Sequence, residues 1–572
     1  MKLIEIKIEN FRGIRSLHLF LDGLTVLIGE NNIGKSSVLE AIRMVLKRGF
    51  GVRRGGQFTE YDFHLKDAKA TPQTADPISI ILHFAEKQED EWPETVIQQL
   101  SDVIQLDTNG LNHIRLLAKG SFQAESSSFQ TKWAFLDLGN SELPLKNATP
   151  INLISRFIPI FFLSALRDAS QEFGQRGQFW SGFLKSIQLP EEQQQRIEEM
   201  LQEVNASVIS ANVGLAEVRE KIANAGRLVP LDSADPVALE AIPTRIFDMV
   251  GKIQVHLRSS YGAKLPMHRH GEGTQSLAVL MLFQAFVTAN LSEAYTTEST
   301  PILVLEEPEA HLHPSAIRSL GAFLKDLSGQ VLVSSHSGDL VSRVPVTALR
   351  RLYKHNGETK IGRIETGSFT DRELQAIDYS IRFTRGHYLF SRCWLLVEGE
   401  SDFHLMPLLF ESMGYSQDQV SFSVLEISQV IDKGEPLMKF ANALGIQWFL
   451  MADGDQAGSD YLKRAKKHLL DENNTEYARK LDHVDIEHEF WHSGYNEIIT
   501  DMINSQSKSN IESAVHDDAK KTKQLIKAAI KKAGGKPAFA QVIAAEVKQR
   551  GTETIPQTIQ DIIARVVQLA GG

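Results

Sequence analysis

The stretch Gly29-Glu30-Asn31-Asn32-Ile33-Gly34-Lys35-Ser36-Ser37 constrains this chain more than any other. It follows the apolar run Leu24-Thr25-Val26-Leu27-Ile28 and leads into Val38-Leu39-Glu40-Ala41-Ile42. Two glycines bracket the turn, and Lys and Ser open a helix, which is P-loop spacing. Glycine lets the backbone curl so that its N–H groups face a phosphate, and the helix start adds partial positive charge. In that geometry Lys35 reaches the β- and γ-phosphates and the Ser36 hydroxyl ligates Mg²⁺, with Asn32, Gly34 and Ser37 completing the ATP cradle. A turn with a chance Lys-Ser needs neither the entering strand nor the leaving helix. Both are present, so the stretch reads as a nucleotide site.

At 572 residues the chain exceeds one ordinary core, and two or three domains are expected. Its net charge of -10 excludes a uniformly basic nucleic-acid coat but leaves room for a local basic site. Cys393 is the single cysteine, so a disulfide framework or cysteine zinc site within one chain is excluded. That suits a reducing compartment. The start Met1-Lys2-Leu3-Ile4-Glu5 lacks a signal-peptide core, and charges interrupt every apolar stretch before membrane-spanning length. A cytoplasmic protein without a membrane partner is expected.

Ile4, Ile6 and Ile8 alternate with charged residues, the pattern of a half-buried strand, and Ser16 to Phe20 read as its return. Further strands are expected at 78–84 and 114–117, so the first lobe reads as α/β with an antiparallel portion. Gly51 to Gly56 form a basic loop. Between about 170 and 243 the texture turns helical, with Ile197, Met200, Leu201, Val204 and Val208 at helical spacing. That face could pack on the first lobe or on a second copy.

Nucleotide chemistry then returns. His268-Arg269-His270-Gly271-Glu272-Gly273-Thr274-Gln275-Ser276 precedes a helix from Leu277, which offers a phosphate-facing start or a plain N-cap. Ile302-Leu303-Val304-Leu305 delivers Glu306 and Glu307 from a buried strand, as a metal shell and an attacking water require. Val331-Leu332-Val333-Ser334-Ser335-His336 is another strand, ending in a histidine where ligands collect on parallel sheets. In this order the residues resemble an ABC-type ATPase of the branch that includes SMC, Rad50 and RecF, an impression that Asn10-Phe11-Arg12-Gly13-Ile14 strengthens. The resemblance implies Gly271, Gly273 and Gln275 in the signature motif that caps ATP across a dimer. It implies Glu306 as the Walker B acid, Glu307 as catalytic glutamate and His336 as switch histidine. The signature departs from Leu-Ser-Gly-Gly-Gln, and Glu replaces Asp in Walker B, so binding is better supported than fast hydrolysis. Gln57 and the segment Phe162 to Asp168 are alternative Q-loops.

A second α/β pattern begins at Cys393-Trp394-Leu395-Leu396-Val397 and ends in Glu398-Gly399-Glu400-Ser401-Asp402. Trp448 to Ala452 runs into Asp453-Gly454-Asp455, whose acids project from one face of an extended chain. Val484-Asp485-Ile486-Glu487-His488-Glu489 reads as a third acidic strand. Hard oxygen ligands at strand ends suit Mg²⁺ or Mn²⁺. The ordered set resembles a Toprim domain.

An ABC ATPase followed by Toprim resembles the OLD-family (overcoming lysogenization defect) nucleases, a family that includes the Gabija GajA proteins. The resemblance covers nearly the whole chain. It implies an ATPase domain over 1–169 and 244–390, a helical dimerisation insert over 170–243, Toprim over 391–500 and a helical region over 501–572. It implies two metals held by Glu398, Asp402, Asp453, Asp455 and Glu487, with Asp485 a weaker candidate, and Lys536 as catalytic lysine. One metal would activate water and the other stabilise the leaving oxygen, while Lys536 offsets charge on the phosphate. Lys520, Lys521, Lys523, Lys527, Lys531 and Lys532 form a run without acids, either a solvated face or a phosphate track. The expected partners are DNA and a homodimer or higher homo-oligomer, and a helicase or retron component encoded nearby stays open. The reading is an ATP-regulated, metal-dependent DNA endonuclease of anti-phage defence. The alternative is an SMC/RecF-like clamp whose Toprim part binds without cutting.

Overall fold

The computed structural model describes residues 1–46, 58–67, 69–144, 149–163, 190–211, 298–310, 312–469 and 477–571, with short stretches between 214 and 285. Gln57, residues 51–56 and residues 164–168 lie outside them, as does most of the helical insert. Leu3–Phe11 (β1) and Ile14–Phe20 (β2) form a hairpin. Leu24–Ile28 (β3) enters the P-loop, and Lys35–Leu46 (α1) leaves it. Ile78–Ala85 (β4), Gln105–Leu106 (β5), Asn112–Gln123 (β6) and Ser128–Leu136 (β7) complete an antiparallel sheet of order β2-β1-β4-β6-β5, with β7 on β6. Ile6, Ile8 and Phe11 are fully buried beneath it. Glu5 breaks the expected alternation, because it is buried too. The His83 Nδ1–Glu5 Oε2 hydrogen bond of 2.7 Å holds its carboxyl down at about 2.

The nucleotide sheet is assembled from distant segments. Ile160–Leu163 (β8), Ile302–Glu306 (β9), Gln330–Ser334 (β10), Leu349–His355 (β11) and Glu358–Arg363 (β12) join β3 in the order β12-β11-β3-β10-β9-β8. All neighbours are parallel except β11 and β12. Parallel strands are covered on both faces, which explains their unbroken apolar runs. Of the insert, Glu191–Ser210 forms one 20-residue helix (α2) that leaves Met200, Val204 and Val208 exposed.

The second lobe is a four-stranded parallel sheet. Cys393–Val397 (β13), Phe422–Glu426 (β14), Gln447–Ala452 (β15) and Ala478–Lys480 (β16) lie in the order β14-β13-β15-β16. Glu400–Ser412 (α3), Glu435–Leu444 (α4) and Gln456–Ala465 (α5) are its crossovers. Val484 to Glu489 does not continue the sheet: Asp485 caps a short helix, Ile486–Phe490 (α6), by accepting the His488 N–H. The expectation of a third acidic strand is thereby corrected. Its alternation is that of a buried helical turn rather than of a pleat. Asp518–Ala533 (α7), Lys536–Arg550 (α8) and Gln557–Leu569 (α9) close the chain against α3 and the sheet.

One apolar core runs from the nucleotide sheet (Val26, Leu303, Val333) into the second lobe (Trp394, Phe440, Trp448). Arg351, on β11 beside Ile28 of the P-loop strand, is buried in that seam. Its guanidinium donates to the carbonyls of Leu389, Ser391, Leu444 and Gly445 at 2.9–3.3 Å. Burial lowers its pKa to about 10. Among the described residues no helix is long and apolar enough to cross a membrane.

Candidate functional site

The P-loop has the backbone that its sequence demands. Gly29 has φ +142° and a side chain there would run into the Leu352 carbonyl, while Asn32 and Gly34 also have positive φ. Lys35 is buried and its ammonium donates to the carbonyls of Gly29 and Glu30 at 2.8 and 2.7 Å. Burial lowers it to about 8, against the pull of Glu307, Glu309 and Glu30. Ser36 and Ser37 occupy the first turn of α1, with Ser36 exposed.

Strand ends bring the acids to this loop. Glu306 closes β9 opposite Ser334, and Glu307 follows at φ +47° with its N–H on the Ser334 carbonyl. His336 Nε2 lies 3.4 Å from a Glu307 oxygen, and burial together with the Lys35 charge lowers the histidine's pKa. Glu309 was given no role by the motif reading, yet it belongs here. Its Oε1 accepts from Ser335 Oγ at 2.6 Å and from the His336 N–H at 2.8 Å. Its Oε2 is buried without a partner, and burial raises its pKa. A third acid two residues beyond a strand-end pair was the available signal. Gly271, Gly273 and Gln275 form the start of a helix, with Gln275 Nε2 on the His270 carbonyl. Among the described residues no hydrogen bond or ion pair joins them to the P-loop.

The second site is a cavity of about 570 Å³ where β13, β15 and α6 meet the C-terminal helices. Asp402, Asp453, Asp485 and Glu487 line one wall. Asp402 sits in the first turn of α3, where Oδ2 accepts the Gly399 N–H at 3.0 Å. Its Oδ1 is buried with no partner, and burial followed by the charges of Asp453 and Glu487 pushes its pKa well up. Asp453 rises to about 8 for the same reasons, burial first and then Glu398. Glu487 accepts from Ser401 Oγ at 2.5 Å and is raised by burial and by Asp485. Asp485 goes the other way, because hydrogen bonds from His488 outweigh its burial.

Glu398 and Asp455 stand apart from the cavity wall. Glu398 accepts the Asp453 N–H at 2.8 Å, and Asp455 caps α5 through the Gly458 N–H at 2.9 Å. Asp485, the weaker candidate, is the one brought into the wall. Gly454 permits this packing, since a side chain there would strike the His483 carbonyl. Lys536, the first residue of α8, lines the same cavity with Lys523, Lys527 and Lys531. Among the described residues no three His, Cys, Asp or Glu side chains converge closely enough to cage a metal as they stand. The donor set nevertheless fits a hard divalent cation. It is all oxygen and mutually repelling, with pKa values raised at Asp402, Asp453 and Glu487, and it includes the orphaned Asp402 oxygen.

An ion pair joins the P-loop to the start of the second lobe. Arg392, the residue before β13, holds the P-loop's Glu30 in a fork, with Nε on Oε1 and Nη2 on Oε2, the latter at 2.8 Å. This pairing lowers the Glu30 pKa.

A family model described as "Protein of unknown function (DUF2813)" matches residues 1–387. A second, "Overcoming lysogenization defect protein-like, TOPRIM domain", matches residues 389–455. The "Uncharacterized protein YbjD" of Escherichia coli K12 is 26% identical over 100% of both chains. The "Old nuclease" of Escherichia phage P2 is 24% identical over 80% of this chain and 77% of its own. "Endonuclease GajA" of Bacillus cereus VD045 is 22% identical over 72% of this chain and 68% of its own. With a P-loop lobe followed by a Toprim lobe, the chain belongs to the DUF2813 family and carries an OLD-like Toprim domain.

Proposed function

We propose that the chain is a divalent-metal-dependent DNA endonuclease whose activity is set by ATP, working as a homodimer in anti-phage defence. The observation that carries this reading is a cavity of about 570 Å³ lined by four carboxylates and four lysines. Relatives named as nucleases support the reaction class. A divalent cation on the acidic wall would supply Lewis acidity toward a phosphodiester. The chain's own part is to orient the groups. Ser401 fixes Glu487, the Gly399 N–H fixes Asp402, and His488 keeps Asp485 ionised. Lys536 offers positive charge to the phosphate from the same cavity. Glu398 and Asp455 would join the metal shell from behind Asp453. ATP would bind on Lys35 and Ser36, with Glu306, Glu307 and His336 at its γ-phosphate and Gly271, Gly273 and Gln275 closing on a partner's nucleotide. The Glu30–Arg392 fork supports nucleotide control, because it ties the phosphate loop to the strand that carries Glu398.

A plasmid-cleavage assay with Mg²⁺ or Mn²⁺, with and without ATP, tests this. Metal-dependent nicking or linearisation is expected. Asp453→Ala and Asp455→Ala should each lower it about 100-fold or more while DNA binding survives. Lys35→Ala should remove the ATP effect. A non-cutting clamp is the second reading, favoured by the absence of a ready-made metal cage among the described residues. Binding without cleavage in either metal would select it.

A further inference from the structure

Lys523, Lys527 and Lys531 recur every four residues along α7, so they form one stripe, and all three line the same cavity as the acids. Lys520, Lys521 and Lys532 belong to the same helix but do not line it. Among the described residues, none of the three stripe lysines, nor Lys536, makes a salt bridge or side-chain hydrogen bond. Four ammonium groups therefore share a cavity with four carboxylates, and none of them is in a salt bridge. The wall of acids would repel a phosphate, and the wall of lysines would attract one. The gap suits a third party that is anionic toward the lysines and reaches the acids only through a cation. At 1.5 Å rise per residue the stripe places an ammonium about every 6 Å, comparable with the interval between neighbouring phosphates of an extended strand. The floor between the ammonium groups is apolar, formed by Ile526 and Ile530. Those two side chains offer no hydrogen bond to a base.

We propose that Lys523, Lys527 and Lys531 are positioning residues that hold three successive phosphates of one nucleic-acid strand. They would lead that strand, without reading its sequence, to the phosphate opposite Lys536. The proposal rests on the nuclease reading above and adds the path of the substrate. Backbone contacts of this kind fix register and carry the salt dependence of binding.

The test is the affinity of the full chain for a labelled oligonucleotide, single-stranded and duplex, measured by anisotropy in chelator over a NaCl series. The triple variant Lys523→Gln/Lys527→Gln/Lys531→Gln is compared with Lys520→Gln/Lys521→Gln/Lys532→Gln, which removes equal charge from the same helix. The stripe variant should flatten the log–log salt slope by about 2 for a single strand, at about 0.7 per phosphate. The outer variant should leave the slope nearly unchanged, and Lys527→Gln alone should lower it by about 0.7. Equal losses in the two triples, or an unchanged slope in the stripe variant, overturn the proposal. Wild-type cleavage, run in parallel, separates the two claims. Cutting with an unaffected stripe variant removes only the stripe, whereas a wild type that neither binds nor cuts nucleic acid removes the nuclease reading with it.

Discussion

Asp402 shows most clearly what the acidic wall costs the fold. One of its oxygens is buried without a hydrogen bond, and Asp453 and Glu487 press on the same space. Asp402→Asn keeps an acceptor for the Gly399 N–H and removes one charge. It should stabilise the metal-free protein by about 1–2 kcal/mol while abolishing cleavage. The pH dependence follows from the sign of the shift. Asp453 has a folded-state pKa raised to about 8, so the folded state holds a proton that the unfolded state releases near its ordinary value. Stability in chelator should then fall as pH rises through 6 to 8, and less steeply in Asp402→Asn. Urea midpoints for the two proteins across that range decide it, and parallel profiles would contradict the account. The strand-end acids Glu398 and Asp453 were legible from sequence because each follows an apolar run. The side-chain partition was not. Asp455 is drawn off to cap a helix and Asp485 is drawn in, and both outcomes depend on where a helix starts. Glu309 was obscured by its more familiar neighbours Glu306 and Glu307.

At the scale of elements, β11 does two jobs. It pairs with the P-loop strand, and its Arg351 engages all three guanidinium nitrogens with carbonyls from the linker before β13 and from the end of α4. Arg351→Ala would leave those buried carbonyls unsatisfied in the seam. A loss of about 3 kcal/mol or more is expected in a urea melt, with faster tryptic cutting in residues 384–392. A change below about 0.5 kcal/mol would show that the carbonyls find other donors. The strands themselves were readable, since long apolar runs at 24–28, 302–305, 331–333 and 393–397 have few alternatives. Two adjacent arginines in Leu349-Arg350-Arg351-Leu352 gave no hint of burial, because their partners are distant in sequence: Phe20 and Asp22 for Arg350, and Leu389, Ser391, Leu444 and Gly445 for Arg351.

At the scale of the whole molecule, Arg392 ties the nucleotide loop to the start of β13, the strand that leads to Glu398. Arg392→Ala should leave metal-dependent cutting within about threefold of wild type. It should shrink the ratio of cleavage rates with and without ATP toward one, whichever way ATP acts. Single-turnover rates under both conditions measure that ratio, and an unchanged value would remove the fork from the route. Glu30→Gln should act in the same direction. The order of the two chemistries was legible from motif succession, but the contact between them was not, since Glu30 occupies a freely variable position of the P-loop spacing.

The continuous core has a consequence for how such a chain is divided. The two family matches part company at residue 388, yet no solvent layer lies there: Val26 beneath the phosphate loop and Trp448 of the second sheet share one apolar interior. A gene cut at that point would not yield two proteins but two open wounds, each missing the other's wall. A change in packing on either side of that point is felt by one shared core.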